Sequence, residues 1–352
     1  MINSKKNIFL FFFIILFLCN EFRNEINDFT LNLYNPVEKH TKNFTMGTTY
    51  SFQYIASSFY SGEHTLKIAK HNAKYILRGI NQNMSTYLFN TSISLMNKSK
   101  KNYFINNISF NFVAYQSIKN TLKNCDFFYI NINKLATLWK FNQTQTHNVS
   151  PNILNICRLL YSDKKANTIY LNKYIIKKSL KSISYNLSAS AKGYGVDKIY
   201  KLKKNLGFSN FICEIGGEAK VSGINFKKKI WVFGLIEPCK KNIFGQCLNI
   251  VTLYNSSLAS SGMYLNTITY KSYQFSHIFN IHSGMPVKLG LANINIILKS
   301  CMIADVFSTT FFLCNLNNYI IFLCRMKLHI YLFYDSIHAS KRYISKKLKS
   351  NW

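Results

Sequence analysis

An aspartate and a threonine lie four residues apart in an otherwise apolar segment, CMIADVFSTTFF, in the C-terminal part of the chain. Residues four apart share a face of an α-helix, so a helix here would present the carboxylate of Asp305 and the hydroxyl of Thr309 side by side. Carboxylate and hydroxyl oxygens suit a hard cation such as Mg²⁺. The segment therefore predicts a metal site, with a helix-capping role for Asp305 as the alternative.

Two histidines stand around a predicted turn in the segment SHIFNIHSGMPV. Histidine is the usual general base near neutral pH, which makes His277 and His282 candidates for proton transfer. A purely structural role for both is the alternative.

Small residues are concentrated in SASAKGYG, which starts at Ser188 and leads into a predicted helix. Small side chains there let the backbone approach a ligand, and the free N–H groups favour an anion such as a phosphate. A tight junction between loop and helix is the alternative. Farther on, EIGGE ends a predicted strand with Gly216 and Gly217, which permit a positive φ or close approach of a ligand.

Several helices and strands must position these residues. Helical spacing of apolar residues predicts helices over 64–83, 113–122, 153–160 and 191–205, the last with Ser190 as its N-cap. Strands are predicted at 49–55, 168–176, 211–215, 230–236, 293–299 and 329–334. The mixed order, without a repeated βαβ spacing, favours an α+β fold over a doubly wound α/β fold.

The chain is strongly basic, with 44 Lys and Arg against 13 Asp and Glu and a net charge of +31. Such a charge often indicates a nucleic-acid or anionic membrane partner. The lysines are scattered, however, and form no stripe, zinc knuckle or RNA-binding motif. Lys, Asn, Ile, Phe and Tyr are over-used together and share AT-rich codons, so compositional drift explains the charge. We therefore expect no nucleic-acid partner.

The N-terminal residues 1–19 predict a signal for export. Basic residues precede an unbroken run of 11 apolar residues, Ile8 to Leu18, which is short for a bilayer span but typical of a signal peptide. The run ends at Cys19 in a sequence that resembles a lipoprotein cleavage box, although Leu18 is larger than that box prefers. Lipidation of Cys19, or an uncleaved anchor, would hold the chain at the periplasmic side of the cell inner membrane. Residues 20–45 are polar and predict a linker.

Eight segments together resemble, in their order along the chain, the ApbE family of FAD:protein FMN transferases. They are MGTTYSFQY, INQNMSTYLFNTSISLMN, LATLWKF, NLSASAKGYGVD, EIGGE, LASSGMYLN, SHIFNIHSGMPV and MIADVFSTTFF. The resemblance covers about 46–345 and implies a single α+β catalytic unit with mixed sheets and flanking helices. It also implies that the small residues of SASAKGYG face FAD and its pyrophosphate.

The resemblance implies an activity as well as a fold. Members of the family bind FAD with Mg²⁺ and transfer FMN to a Thr or Ser hydroxyl of a target protein, releasing AMP. The implied partners are FAD and an acceptor protein, such as a subunit of a sodium-pumping NADH:quinone reductase or of an Rnf-type complex.

The resemblance also assigns roles to individual residues. It makes His277 the base for the incoming hydroxyl, and it assigns three ligands to the metal: Asp305, Thr309 and the backbone carbonyl of Ala189. The residues implied in binding the flavin nucleotide are Met46, Tyr87, Phe127, Phe128, Tyr129, Asn186 and Lys192.

Four departures from the family pattern concern loops near these positions. Asn186 replaces a common Asp, Asn280-Ile281 replaces Asp-Pro, Leu265 replaces an Arg, and the segment 126–129 replaces Gly-Ala-Phe-Asp. They leave two alternatives open: a flavin-binding protein that has lost transfer, and an enzyme that hydrolyses FAD to FMN and AMP. The retained Asp305, Thr309 and His277 favour catalysis.

Overall fold

The structure is a computed structural model. It describes residues 36–57, 63–99, 104–105, 107–122, 130–141, 152, 155–156, 171–172, 175–177, 184–239, 242–262, 267–271, 273–280, 282–288, 291–313, 329–334 and 341–344.

An eight-stranded antiparallel sheet forms the centre of the fold. Its strands, in spatial order, are β1 (Pro36–Thr45), β2 (Thr48–Ser57), β6 (Phe211–Ile215), β7 (Glu218–Ser222), β10 (Ser257–Gly262), β14 (Leu291–Leu298), β15 (His329–Tyr334) and β16 (Lys341–Ile344). Strands β2 and β6 pair although more than a hundred residues separate them in sequence. The sheet therefore joins the N-terminal and C-terminal parts of the chain.

Smaller groups of strands surround this sheet. One three-stranded sheet has the order β11 (Thr267–Tyr270), β12 (Tyr273–Asn280) and β13 (Met285–Lys288). Another has the order β3 (Phe104–Ile105), β5 (Ile175–Lys177) and β4 (Leu171–Asn172). Strands β8 (Trp231–Cys239) and β9 (Asn242–Leu253) form a separate hairpin.

Six α-helices lie among the described residues. They are α1 (Glu63–Met84), α2 (Ser92–Lys98), α3 (Ile108–Leu122), α4 (Asn133–Leu138), α5 (Ser188–Asn205) and α6 (Cys301–Thr310). A short 3₁₀ turn, Phe311–Leu313, follows α6.

Apolar side chains cover both faces of the central sheet, because successive residues of a strand point to opposite sides. On one face, Phe52 and Cys213 pack with α1 and α5, and Ile296 packs with α6. On the other face, Ile212 and Leu258 pack against the hairpin β8–β9. Helices α5 and α6 are thus held on one buried face of the sheet.

The predicted α+β fold is confirmed. The helix predicted over 64–83 is α1, and the strand predicted at 211–215 is β6. The helix predicted over 153–160 lies mostly outside the described residues. Strand β1 lies within the segment 20–45 that was predicted as a linker. The sequence does not predict this strand because its mostly exposed polar residues show no apolar alternation.

The start of α5 differs from the prediction. The helix begins at Ser188, and the predicted N-cap role of Ser190 is wrong because the Ser190 hydroxyl donates to the Leu187 carbonyl. The N-cap is Leu187, three residues before the predicted cap, and the side chain of Asn186 accepts from the Ser188 N–H at 2.8 Å.

Among the described residues, no helix has the length and apolar character needed to cross a bilayer. The predicted export signal at residues 1–19 lies outside the described residues.

Candidate active site

Helices α5 and α6 lie side by side and run in opposite directions. The N–H of Gly193 in α5 donates to Oδ2 of Asp305 in α6, at 2.9 Å. One turn later in α5, Asp197 accepts from the N–H groups of Cys301 and Met302, at 3.2 and 3.1 Å. Because a step forward along α5 matches a step backward along α6, the two helices are antiparallel.

The glycines of SASAKGYG allow this close packing. A Cβ on Gly193 would lie 2.5 Å from the carbonyl oxygen of Cys301, and a Cβ on Gly195 would lie 2.9 Å from Cδ1 of Ile215. At these two positions the small side chain is needed for packing of α5 against protein. This favours the tight-junction alternative for the two glycines.

Asp305 lies inside α6, so the alternative that it caps the helix is wrong. The N-cap is Ser300, whose Oγ accepts from the N–H of Ile303 at 3.4 Å. Asp305 is only 2% exposed, and its carboxylate is turned toward α5.

A two-residue turn brings a third charged group to the helices. Gly216 and Gly217 join β6 to β7 with φ of +59° and +102°, and a tight hairpin turn of this kind requires positive φ. The first residue after the turn is Glu218, which is fully buried and accepts from Nζ of Lys192 at 2.7 Å. The hairpin turn therefore accounts for the paired glycine.

Lys192, Glu218 and Asp305 form a group of one ammonium and two buried carboxylates. Burial raises the pKa of both carboxyls, and the Lys192 ammonium opposes that rise. Burial alone would lower the pKa of Lys192, but Glu218 and Asp305 together raise it. Within the part of the chain that the structure describes, the second carboxylate oxygen of Glu218 has no hydrogen-bond partner. When ionised, the group has an excess negative charge that a cation beside Asp305 would offset.

Thr309 lies one turn after Asp305, next to hydroxyl groups of β10 and α6. Oγ of Ser261 is 2.7 Å from Oγ of Ser308 and 3.4 Å from Oγ1 of Thr309. These contacts attach the C-terminal half of α6 to the central sheet and hold Thr309 beside it.

The start of α5 carries Asn186 and Ala189. The N–H of Asn186 donates to the carbonyl of Ile130, the first described residue after the segment 126–129. Its side-chain oxygen makes the contact to Ser188 that a carboxylate would also make, so replacement of Asp by Asn keeps this hydrogen bond. Ala189 lies in the first turn of α5 and is partly buried against the core.

Three oxygen atoms that could bind a metal lie where α5 begins and α6 ends: those of the Asp305 carboxylate, the Thr309 hydroxyl and the Ala189 carbonyl. The N–H of Gly193, which in a regular helix points toward the carbonyl of Ala189, donates to Asp305. The Ala189 carbonyl and Thr309 each lie one further turn along their helices, and Mg²⁺ prefers such oxygen ligands. Among the described residues, no group of three or more His, Cys, Asp or Glu side chains could hold a metal. The residues thus fit a cation bound by one carboxylate and neutral oxygens.

Met46 lies at the turn between β1 and β2, near α5. It has a φ of +49° and is half-buried, and its methyl group lies 3.6 Å from where a Cβ on Gly195 would be. Tyr87 follows α1 and is 69% exposed, so its ring is accessible to a ligand. The structure does not bring Tyr87 into the buried group formed by Lys192 and Asp305.

His277 is exposed on β12, in a different sheet from the strands beneath α6. The next residue, Ile278, packs in the same apolar cluster as Met302 and Val306 of α6. The strand is further fixed through Asn280, whose side chain accepts from the N–H of His282 at 2.9 Å. His277 is therefore presented to solvent by a strand that packs near α6.

Some predicted site residues lie outside the described residues, namely Phe127, Phe128, Tyr129, Leu265 and Ile281. Conversely, Glu218 and Asp197 were not predicted. Each has only a weak signal in the sequence, since Glu218 directly follows the paired glycine and Asp197 follows Gly193 by one helical turn.

A family model and named relatives match most of the chain. The model of the ApbE family matches residues 46–332. The FAD:protein FMN transferase of Vibrio cholerae is 26% identical over 279 residues, which are 78% of this chain and 81% of that protein. The FAD:protein FMN transferase of Haemophilus influenzae is 26% identical over 273 residues, 76% of this chain and 78% of that protein.

Solved structures share the fold. The flavin transferase ApbE from Vibrio cholerae superposes with a TM-score of 0.73 at 23% identity, covering 89% of this chain and 99% of that chain. The apo form of the flavinyl transferase ApbE from Pseudomonas stutzeri has a TM-score of 0.76 at 21% identity, covering 90% and 97%.

Proposed function

The chain belongs to the ApbE family, and we propose that it is a FAD:protein FMN transferase. In this proposal it transfers FMN from FAD to a Thr or Ser hydroxyl of a target redox protein, depends on Mg²⁺ and releases AMP. The acceptor would be a subunit of a membrane redox complex, such as a sodium-pumping NADH:quinone reductase or an Rnf-type complex.

The observation that carries the proposal is the group of oxygen donors between α5 and α6. Asp305 is buried and oriented by the N–H of Gly193, and Thr309 and the carbonyl of Ala189 lie one turn away on each helix. A bound Mg²⁺ supplies positive charge where the pyrophosphate of FAD carries negative charge. Lys192, held by Glu218, lies close enough to Asp305 to interact with its charge.

The chemistry is a displacement at phosphorus. The acceptor hydroxyl oxygen forms a bond to the FMN-side phosphorus, and the anhydride bond to AMP breaks with its electron pair going to the AMP phosphate. His277 takes the proton of the hydroxyl, which suits a group that titrates near neutral pH. Its exposure on β12 leaves room for an acceptor protein to approach.

We also propose that the catalytic part lies on the periplasmic side of the cell inner membrane. The support is the basic start of the chain followed by the 11-residue apolar run ending at Leu18, before Cys19. Labelling of the intact cell with a membrane-impermeant reagent, compared with lysed cells, tests this placement.

An assay of Asp305→Asn tests the function. The full-length chain is incubated with FAD, Mg²⁺ and a Thr-containing acceptor segment, and flavin that stays on the acceptor after denaturation is measured by fluorescence and mass spectrometry. We expect transfer to fall by about 10²- to 10³-fold, the usual effect of removing one strong electrostatic contact to developing charge.

The matched control is Glu214→Gln. Glu214 is a carboxylate on β6 of the central sheet, and it accepts from the hydroxyl of Ser51 on β2 at 3.3 Å. It should retain transfer. Full transfer by Asp305→Asn at limiting Mg²⁺ would remove Asp305 from the site. Release of free FMN and AMP with no labelled acceptor would show hydrolysis and contradict the transferase proposal.

A further inference from the structure

We propose that Asp197 is a positioning residue for the metal ligands of α6. It acts by binding the first backbone N–H groups of α6, at the opposite end of that helix from Thr309. The inference deepens the proposed function and rests on its Mg²⁺ site. No metal contact is assigned to Asp197 itself.

Asp197 gathers four donors onto its two carboxylate oxygens. Oδ1 accepts from Nζ of Lys220 at 2.6 Å and from the N–H of Cys301 at 3.2 Å. Oδ2 accepts from Oγ of Ser300 at 2.9 Å and from the N–H of Met302 at 3.1 Å. The first two amides of α6 are therefore satisfied by a side chain of another helix, at the end where a negative charge is stabilising.

The spacing along both helices connects this cap to the candidate ligands. On α5, Gly193 lies four residues before Asp197, so the two residues share one face. On α6, Asp305 lies four residues after Cys301 on one face, and the two contacts oppose each other: Asp197 to Cys301, and Gly193 to Asp305. A carboxylate of each helix thus accepts hydrogen bonds from backbone N–H groups of the other helix.

Two such contacts one turn apart determine how far α6 can slide or rotate against α5. Ser261 holds the C-terminal half of α6, Gly193 holds its middle, and Asp197 fixes its start against α5. Without the contact at Asp197 the start of α6 would no longer be fixed, and Asp305, one turn from that end, would shift with it. The position of Asp305 therefore depends on Asp197.

Strand β7 connects the same arrangement to the ammonium at the site. Glu218 and Lys220 lie two residues apart on one face of β7, where Glu218 holds Lys192 and Lys220 holds Asp197. The side chain of Asp197 is 22% exposed and that of Lys220 is 13% exposed, so water has limited access to the pair. The contacts that place α6 are therefore mostly, but not fully, buried.

The test measures metal binding without FAD and without turnover. Mn²⁺ is titrated into the full-length chain and followed by electron paramagnetic resonance, with Mg²⁺ as competitor. We expect Asp197→Asn to bind Mn²⁺ about 10- to 100-fold more weakly, the usual effect of losing a group that orients a ligand. The Asn variant has a single acceptor oxygen and cannot serve both pairs of donors.

Asp197→Glu separates position from charge. It keeps the carboxylate but moves it by one methylene group, so a positioning role predicts weaker Mn²⁺ binding here too. Wild-type affinity in Asp197→Glu, together with weak binding in Asp197→Asn, would show that charge alone matters and would overturn the inference. Glu214→Gln, which removes a carboxylate bonded to Ser51, is the control and should bind Mn²⁺ as the wild type does.

Melting curves with and without metal distinguish a positioning role of Asp197 from a purely structural role. A positioning role reduces the rise in melting temperature that Mn²⁺ produces, whereas a structural role lowers the melting temperature of the metal-free chain alone. Should Asp197→Asn fail to fold, Ser300→Ala removes one donor to Oδ2 and should show a smaller loss of affinity. Unchanged affinity in the variant that folds overturns the inference, while a wild type that binds no Mn²⁺ overturns the proposed metal site and this inference with it.

Discussion

Lys203 is a buried ammonium surrounded by aromatic rings. It is 1% exposed, and its Nζ lies 4.3 Å from the ring centroid of Phe208, 4.7 Å from that of Phe52 and 5.2 Å from that of Tyr54. Ring faces attract a cation, but they replace hydration only in part. Burial accordingly lowers the pKa of Lys203 to about 8.

The depressed pKa makes stability depend on pH in a defined direction. Between about pH 8 and about pH 10.5 the unfolded chain holds a proton on Lys203 that the folded chain has lost, so the free energy of unfolding rises with pH there. Below the folded pKa both states are protonated, and the full burial penalty of the charge remains.

We predict that Lys203→Met removes this pH dependence. The wild type should gain about 1 kcal/mol in its free energy of unfolding, relative to Lys203→Met, between about pH 7 and about pH 9. The variant should be the more stable protein at neutral pH, because Met keeps the apolar stem without the charge. Urea denaturation at both pH values provides the measurement, and exposed Lys204→Met is the control. Equal pH dependence in wild type and Lys203→Met would contradict the prediction.

At the level of single residues, spacing alone predicted part of the candidate site. Asp305 and Thr309 stood out because a carboxylate and a hydroxyl four residues apart interrupt an apolar helix pattern. Glu218 and Asp197 did not, because their partners, Lys192 and the start of α6, are distant in sequence and meet them only in the folded structure. Charged residues that act through tertiary contacts leave no periodic signal.

At the scale of the elements, the candidate site depends on the close packing of α5 against α6. A Cβ at Gly193 would meet backbone, with the carbonyl oxygen and carbon of Cys301 at 2.5 and 2.7 Å and Cα of Met302 at 2.7 Å. Backbone atoms cannot rotate away as a side chain could, so the helices would have to separate.

We predict that Gly193→Ala lowers the free energy of unfolding by about 1–3 kcal/mol, the usual effect of overpacking, despite the better helix propensity of Ala. Separation of the helices would also disturb the proposed Mg²⁺ site. The matched control is Gly79→Ala in α1, where an added Cβ meets nothing within 4 Å. That change should stabilise the chain by about 1 kcal/mol. Thermal and urea unfolding of both variants test the contrast, and a neutral or stabilising effect of Gly193→Ala would show that α6 can move without cost.

Elements with one buried face could be predicted, and those without could not. Helix α1 buries Leu66, Ala73 and Leu77 at helical spacing, and β6 alternates buried and half-buried residues. Strand β1 has mostly exposed polar residues at the edge of the sheet, so only its pairing with β2 reveals it. The start of α5 was misplaced because Asn186 and Ser190 can both form local hydrogen bonds there, whereas the N-cap in the structure is Leu187, without a side-chain cap.

For the molecule as a whole, the most marked property of the sequence is its charge. There are 44 basic and 13 acidic residues, so the acidic residues are too few to pair one to one with the basic residues. The two salt bridges found among the described residues, Lys192–Glu218 and Lys220–Asp197, both lie beside the candidate site. The acidic residues of both ion pairs thus lie where α5, α6 and β7 meet, while the unbalanced positive charge is spread over the sequence.

A charge that arises from composition should attract nucleic acid without reading its sequence. We therefore predict that any binding of duplex DNA falls by about 10³-fold or more between about 50 and about 200 mM salt, as expected when several phosphates are contacted and counterions are released. Fluorescence anisotropy of the full-length chain with a labelled duplex, beside a scrambled duplex of the same composition, gives the salt slope and the selectivity together. Equal affinities for the two duplexes and a steep slope would support drift as the origin of the charge. Selective binding that persists at about 200 mM salt would instead require base contacts, which scattered phosphate-binding lysines do not provide, and would make nucleic acid a true partner of this chain.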